Sequence, residues 1–112
     1  MKFRTKRFAH KCVKLAMELP KTKLGMHLHG QLIRCSTSVA ANYRAACVAQ
    51  SKKSFVSKLG IVVEEVDESN FWLEFIKDEK LIMNDQLEEL TKESLELTRI
   101  FISSRKTAES SI

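Results

Sequence analysis

Apolar residues recur at intervals of three or four positions along most of the chain, which is the spacing of one face of an α-helix. The pattern predicts four helices, at about residues 5–19, 24–49, 52–78 and 85–104, followed by a polar, frayed tail at 105–112. No segment alternates with the period of two that a half-buried strand requires. We therefore predict an all-α protein whose residues 1–112 form one antiparallel, up-down-up-down four-helix bundle.

Residues that begin or end helices support these boundaries. Pro20 is predicted to end the first helix, because proline lacks an amide donor and disfavours helical backbone in the preceding residue. Thr22 and Ser51 are predicted N-caps of the second and third helices. Either Asn84 or Asp85 is predicted to cap the fourth helix, and Glu88 would complete a capping box with Asp85.

The stretch from His29 to Ala49 is predicted to be the central helix, because it is apolar on one side, rich in Ser and Ala on another, and polar between them. Antiparallel pairing about a turn near residue 50 would place Arg34 beside Asp67 and Glu68. The predicted polar network comprises Arg34, Ser38, Asn42, Glu64, Asp67 and Glu68. We interpret it as fixing helix register or a subunit contact. The alternatives are a pocket with catalytic carboxylates and solvated charge without a role.

The charge is divided unevenly along the chain, although the net value is only +5. Residues 1–63 contain 13 Lys or Arg and one acid, Glu18, whereas residues 64–112 contain six basic and 13 acidic residues. This asymmetry predicts either an anionic partner for the first half or mutual neutralisation of the halves, within the fold or between subunits. The sequence favours the two interpretations about equally.

Eight basic residues form the candidate nucleic-acid-binding face: Lys6, Arg7, Lys11, Lys14, Arg44, Lys52, Lys53 and Lys58. Such a face would bind phosphates through charge and counterion release, with little readout of base sequence. Only Phe3 and Tyr43 are aromatic residues near these charges, which argues against base stacking of single strands. A solvated face without a ligand is the alternative.

Other kinds of site lack their sequence signatures. His27 and His29 do not share a helix face, no Glu precedes a His by three residues as in di-iron bundles, and Gly-rich phosphate loops are missing. Cys12, Cys35 and Cys47 are predicted to be reduced core thiols. We therefore predict no catalytic residues, metal or cofactor, and a non-enzymatic protein. Lacking a secretory signal or a membrane span, the protein is expected to be cytoplasmic.

Three stretches resemble one family closely: RFAHKCVKLAMELPKT at 7–22, QLIRCSTSVAANYRAA at 31–46 and QSKKSFVSKLGIVVEEVDESNFWLEFI at 50–76. They are similar to the small bacterial four-helix-bundle proteins encoded in intervening sequences of 23S ribosomal RNA genes. The resemblance covers roughly residues 4–104. Its marks are the step from Ser38 to Asn42, followed by Tyr43-Arg44, and the acidic run before Trp72.

The resemblance implies an antiparallel four-helix bundle assembled as a ring-shaped homopentamer. It also suggests a relation to the accessory proteins of diversity-generating retroelements, which are basic pentamers that bind nucleic acid and a reverse transcriptase. Our leading hypothesis is thus a non-enzymatic oligomeric scaffold that binds RNA or DNA, within a ribonucleoprotein or a reverse-transcriptase complex. The alternative is a self-assembly or protein-interaction module with no nucleic-acid role.

Overall fold

The computed structural model describes residues 1–112 and contains four helices and no strands. The helices are α1 (Lys2–Ala16), α2 (Lys23–Cys47), α3 (Lys52–Asp78) and α4 (Asp85–Glu109). Consecutive helices pack against each other, α1 also contacts α4, and the molecule measures 47 × 20 × 19 Å. The predicted all-α, four-helix architecture is confirmed.

One continuous core runs between the helices and follows the predicted apolar stripes. Its fully buried side chains include Phe8 and Leu15 from α1, and Phe101 from α4. In α2 and α3, the core is formed by the stripes that contain Leu28, Leu32, Val39, Leu59, Val66 and Leu73. Burial of these side chains is the main stabilising contribution to the bundle.

The predicted N-caps of α2 and α3 are confirmed, and the structure shows which of the two predicted residues caps α4. The hydroxyl groups of Thr22 and Ser51 accept hydrogen bonds from the amides of Gly25 and Ser54, each at 3.0 Å. Asn84, not Asp85, caps α4 by accepting from the amide of Leu87 at 3.0 Å. Asp85 therefore lies inside the first turn, and the predicted Asp85–Glu88 capping box is wrong.

The ends of α1 and α4 differ from the predicted bounds. Helix α1 spans residues 2–16 rather than 5–19. At its C-terminal end the α-helix gives way to turns, in which the amides of Glu18 and Leu19 donate to carbonyls three residues earlier. Leu19 nevertheless remains buried. Helix α4 continues to Glu109, five residues beyond its predicted end, and an ion pair of 3.1 Å between Arg105 and Glu109 spans its last turn. Most of the predicted frayed tail is therefore helical.

Close packing explains why a glycine stands at position 25, which the sequence did not indicate. It is buried near the start of α2, where an added Cβ would lie 2.0 Å from the carbonyl oxygen of Pro20. The absence of a side chain lets the turn after α1 pass directly against α2. The general cost of glycine in a helix is thus offset here by close packing.

Candidate nucleic-acid interface

The outer face of α1 carries four of the eight candidate residues at helical spacing. A shallow depression of about 420 Å³ lies along this face and is lined by Phe3, Lys6, Arg7, His10, Lys11 and Lys14. Lys6, Arg7 and Lys14 are exposed, and Lys11 is half-buried. The structure therefore gathers the predicted basic residues of α1 into one surface, which we call the α1 basic face.

A second groove, of about 440 Å³, joins the α1 basic face to α2. It is lined by Lys2, Phe3 and Lys6 from α1, and by Thr37, Ala40, Ala41 and Arg44 from α2. The short side chains of α2 leave the space between the two helices open. Part of the small-residue run in α2 thus shapes a groove with cationic walls, and Arg44 lies with Lys6 as the candidate set requires.

The remaining three basic candidates lie apart from these grooves. Lys52 and Lys53 occupy the first turn of α3, and Lys58 follows almost two turns later. None of the three lines either groove around α1, and the ammonium group of Lys52 donates to the hydroxyl of Ser111 at 2.6 Å. Only five of the eight candidates, Lys6, Arg7, Lys11, Lys14 and Arg44, therefore line the two grooves around α1.

The side of α1 that faces α4 is electrostatically different. The guanidinium of Arg4 donates to both carboxylate oxygens of Glu93, at 2.7 and 2.8 Å, and lies 3.0 Å from Glu96. These hydrogen bonds raise the pKa of Arg4, and the bond from Arg4 is the main reason why the pKa of Glu93 is lowered. Arg4 is thus neutralised within the fold, a pairing that the sequence did not predict.

Ion pairing distinguishes the candidate residues from two other cations of the first half of the chain. Arg4 and Arg34 are bound by carboxylates of α4 and α3. None of the eight candidate basic residues forms an ion pair. Neutralisation within the fold therefore accounts for Arg4 and Arg34, whereas an anionic partner for the remaining cations stays a prediction.

The predicted polar network between α2 and α3 is present in part. Arg34 is paired with Glu68, as predicted, and also with Glu65 at 3.4 Å. The indole of Trp72 donates to Glu68 at 3.1 Å. Asp67 is exposed and makes no ion pair, so its predicted pairing with Arg34 is wrong. Residues 65, 68 and 72 share one helix face, and that spacing could have identified Glu65 and Trp72.

The other predicted members of the network do not bridge the helices. Asn42 donates to the hydroxyl of Ser38 at 2.9 Å and to its carbonyl at 3.0 Å, both within α2. Glu64 lies on α3 and makes neither an ion pair nor a side-chain hydrogen bond. Ser38 and Glu64 therefore form no hydrogen bond with each other, and the Ser38 hydroxyl accepts from Asn42 instead.

The chemistry of the Arg34 cluster is that of an ion pair, not of a poised acid. Partial burial tends to raise the pKa of Glu68, but hydrogen bonds from Trp72 and Arg34 outweigh it and the pKa is lowered. A general acid at neutral pH needs the opposite shift. Elsewhere, burial raises the pKa of the Cys35 thiol to about 11, which disfavours the reactive thiolate.

The cysteines and buried polar groups contribute to packing. Cys12 and Cys35 are buried free thiols, as predicted, whereas Cys47 is exposed and the prediction of a core position is wrong. The hydroxyl of Ser69 donates to the sulfur of Cys35 at 3.2 Å, and the side-chain amide of Asn70 donates to the hydroxyl of Ser94 at 2.9 Å. These pairs link α3 to α2 and α4, and the apolar periodicity did not indicate them.

Two further structural tests bear on the class of protein. No group of three or more His, Cys, Asp and Glu side chains is arranged to hold a metal ion. No helix combines the length and the hydropathy that a membrane-spanning segment requires.

A family model described as 23S rRNA-intervening sequence protein matches residues 3–103. The chain belongs to this family. The match includes the α1 basic face, the Arg34 cluster and all residues of the groove to α2 except Lys2. No curated protein matches the chain.

Among solved structures, the chain is similar to a protein of unknown function from the S23 ribosomal protein family of Bacteroides thetaiotaomicron VPI-5482. The two sequences are 32% identical, and the TM-score is 0.86. The similarity covers 94% of this chain and 97% of the other. The fold described above is thus shared with a crystal structure from the same family.

Proposed function

We propose that the protein is a non-enzymatic, oligomeric scaffold that binds RNA or DNA through the α1 basic face. The observation that carries the proposal is that Lys6 and Lys14 on α1, and Arg44 beside them on α2, are exposed and form no ion pair with a carboxylate of the protein. Unpaired cations along one helix create a local positive potential that attracts polyanions. Phosphate contact through lysine and arginine provides affinity with little sequence readout.

The family supports a nucleic-acid ligand only indirectly, through its link to 23S rRNA intervening sequences. We propose that the protein acts in the cytoplasm, within a ribonucleoprotein or beside a reverse transcriptase, as the resemblance to accessory proteins of diversity-generating retroelements implies. We also propose assembly as a ring-shaped homopentamer. Five copies of the α1 basic face in one ring would add their fields and increase affinity by multivalent contact.

The test of this function is the salt dependence of binding to a structured RNA. On a duplex, every neutralised phosphate makes the logarithm of affinity fall by about 0.9 for each tenfold rise in salt concentration. We expect binding at low salt that weakens steeply as salt is added. No binding at low salt, or binding that salt does not change, would contradict the proposal. Native mass measured with and without nuclease would report subunit number and co-purifying nucleic acid together.

A second candidate function is a self-assembly or protein-interaction module, which an aromatic cluster on α3 favours. Phe71 is 53% exposed, and its ring centroid lies 4.9 Å from that of Trp72, which in turn contacts His27 and Phe75. Exposed aromatic groups of this kind are enriched at protein interfaces. This alternative predicts a stable oligomer without salt-dependent retention of nucleic acid, and partner binding that survives replacement of Lys11 and Lys14 by Glu.

A further inference from the structure

Phe3 is the most exposed aromatic residue of the chain. Phe8, the other aromatic residue of α1, is fully buried, whereas Phe3 is 75% exposed. A single exposed apolar side chain is ordinary and needs no explanation by itself. The position of Phe3 is what carries information, because it lines both the depression along the α1 basic face and the groove between α1 and α2.

Cations line both of the grooves that meet at Phe3. On the α2 side, the groove contains Lys2, Lys6 and Arg44. Along α1, the depression that Phe3 also lines contains the cations Lys6, Arg7, Lys11 and Lys14. An aromatic ring between cationic grooves is the arrangement that proteins use for single strands, with bases on the ring and phosphates beside the cations.

We infer that Phe3 is a base-stacking platform and that the α1 basic face prefers single-stranded nucleic acid to a duplex. This inference rests on the proposed function and names the form of its ligand. An unpaired base has a free π-face that can lie on the ring, whereas in a duplex both faces of an internal base are covered by its neighbours. This proposal departs from the sequence expectation that stacking is disfavoured.

Tyr43, the other aromatic residue near the basic candidates, does not serve as a second platform. It is half-buried, and its ring lies 5.3 Å from that of the buried Phe101. Each chain therefore offers one stacked base, with the adjoining phosphates reaching the grooves on either side. Modest affinity per chain, without base-sequence preference, is the expected result.

The experiment measures fluorescence anisotropy of labelled oligouridine and of a duplex RNA of the same length, titrated with the full chain. Phe3→Ala and Phe3→Leu remove the aromatic face, and the leucine variant keeps an apolar side chain. Removal of one stacked base, equivalent to about 1–3 kcal/mol, should weaken oligouridine binding about 5- to 150-fold in both variants. Phe3→Trp should retain or increase affinity. Duplex affinity and the salt dependence of binding should stay unchanged, because no charge is removed.

Met83→Ala is the matched control, since Met83 is 77% exposed and lies in the loop before α4. It should bind both probes like the wild type, and circular dichroism should give equal helicity for all variants. Wild-type affinity for oligouridine in Phe3→Ala and Phe3→Leu, or equal losses for oligouridine and duplex, would overturn the inference while leaving the proposed function intact. A wild-type protein that binds neither probe would overturn both.

Discussion

The α1 basic face and the interface between α2 and α3 are both rich in charge, but they use it differently. At the interface, Arg34 is held by Glu65 and Glu68, so its charge is neutralised inside the fold. On the α1 basic face, Lys6 and Lys14 have no carboxylate partner. The charge of a chain segment therefore does not measure its external field, which depends on the residues that the acidic helices leave unpaired.

The largest expected effect separates these two regions by their affinity for nucleic acid. The double variant Lys6→Glu/Lys14→Glu should bind RNA about tenfold more weakly or worse at low salt, with a salt slope reduced by roughly two phosphate contacts. The control Lys92→Glu/Arg99→Glu makes the same change in net charge at exposed positions of α4. If both double variants weaken RNA binding equally in a filter-binding titration, affinity depends on the net charge of the whole protein and the α1 basic face has no special role.

A smaller effect is expected on stability when a neutralised cation of α1 is removed. Arg4→Ala breaks the ion pairs with Glu93 and Glu96 and should lower the free energy of unfolding by about 1 kcal/mol. Arg7→Ala removes an exposed cation without an ion pair and should cost less than about 0.5 kcal/mol. Urea denaturation measures both values. Equal losses in the free energy of unfolding for the two variants would mean that the ion pairs of Arg4 do not stabilise the fold.

The corresponding change at the α2–α3 interface should be smaller still, because Arg34 is about half exposed. Arg34→Ala should lower the free energy of unfolding by about 0.5 kcal/mol. It should also shift the emission of Trp72, the only tryptophan, whose indole donates to Glu68. RNA affinity should remain near that of the wild type. A loss as large as that of the Lys6/Lys14 double variant would contradict the division between paired and unpaired cations.

The pH dependence of stability should report the paired carboxylates. The pKa values of Glu68 and Glu93 lie below the usual 4.5 in the folded protein. Their stabilising contribution is therefore present above the unfolded pKa, and is lost as pH falls through the folded values. The free energy of unfolding should decline in acid, and the decline should be shallower in Glu93→Gln. Identical acid profiles for Glu93→Gln and the wild type, measured by urea denaturation, would contradict this assignment.

Helical periodicity predicted which candidate residues share a face of one helix, but not how residues on different helices are placed relative to each other. The spacing of Lys6, Arg7, Lys11 and Lys14 places them on or beside one face of a helix, and the structure gathers them there. Periodicity cannot place Lys52 relative to α1, because that depends on where α1 starts along α2. Antiparallel alignment correctly predicted Glu68 as a partner of Arg34, but it predicted Asp67 as the second partner, whereas the structure shows Glu65. A shift of two residues moves a side chain to another face of the helix.

Residue spacing and capping residues were enough to predict four amphipathic helices, their approximate ends, most of the core and the excess of cations in the first half. These features are local, since they depend on spacing along one helix or on a cap within a few residues. The ion pairs that neutralise Arg4 and Arg34, and the exposed position of Phe3 between two basic grooves, became visible only in the folded bundle. Pairing and exposure depend on the relative rotation and axial offset of neighbouring helices, which packing of the whole core fixes.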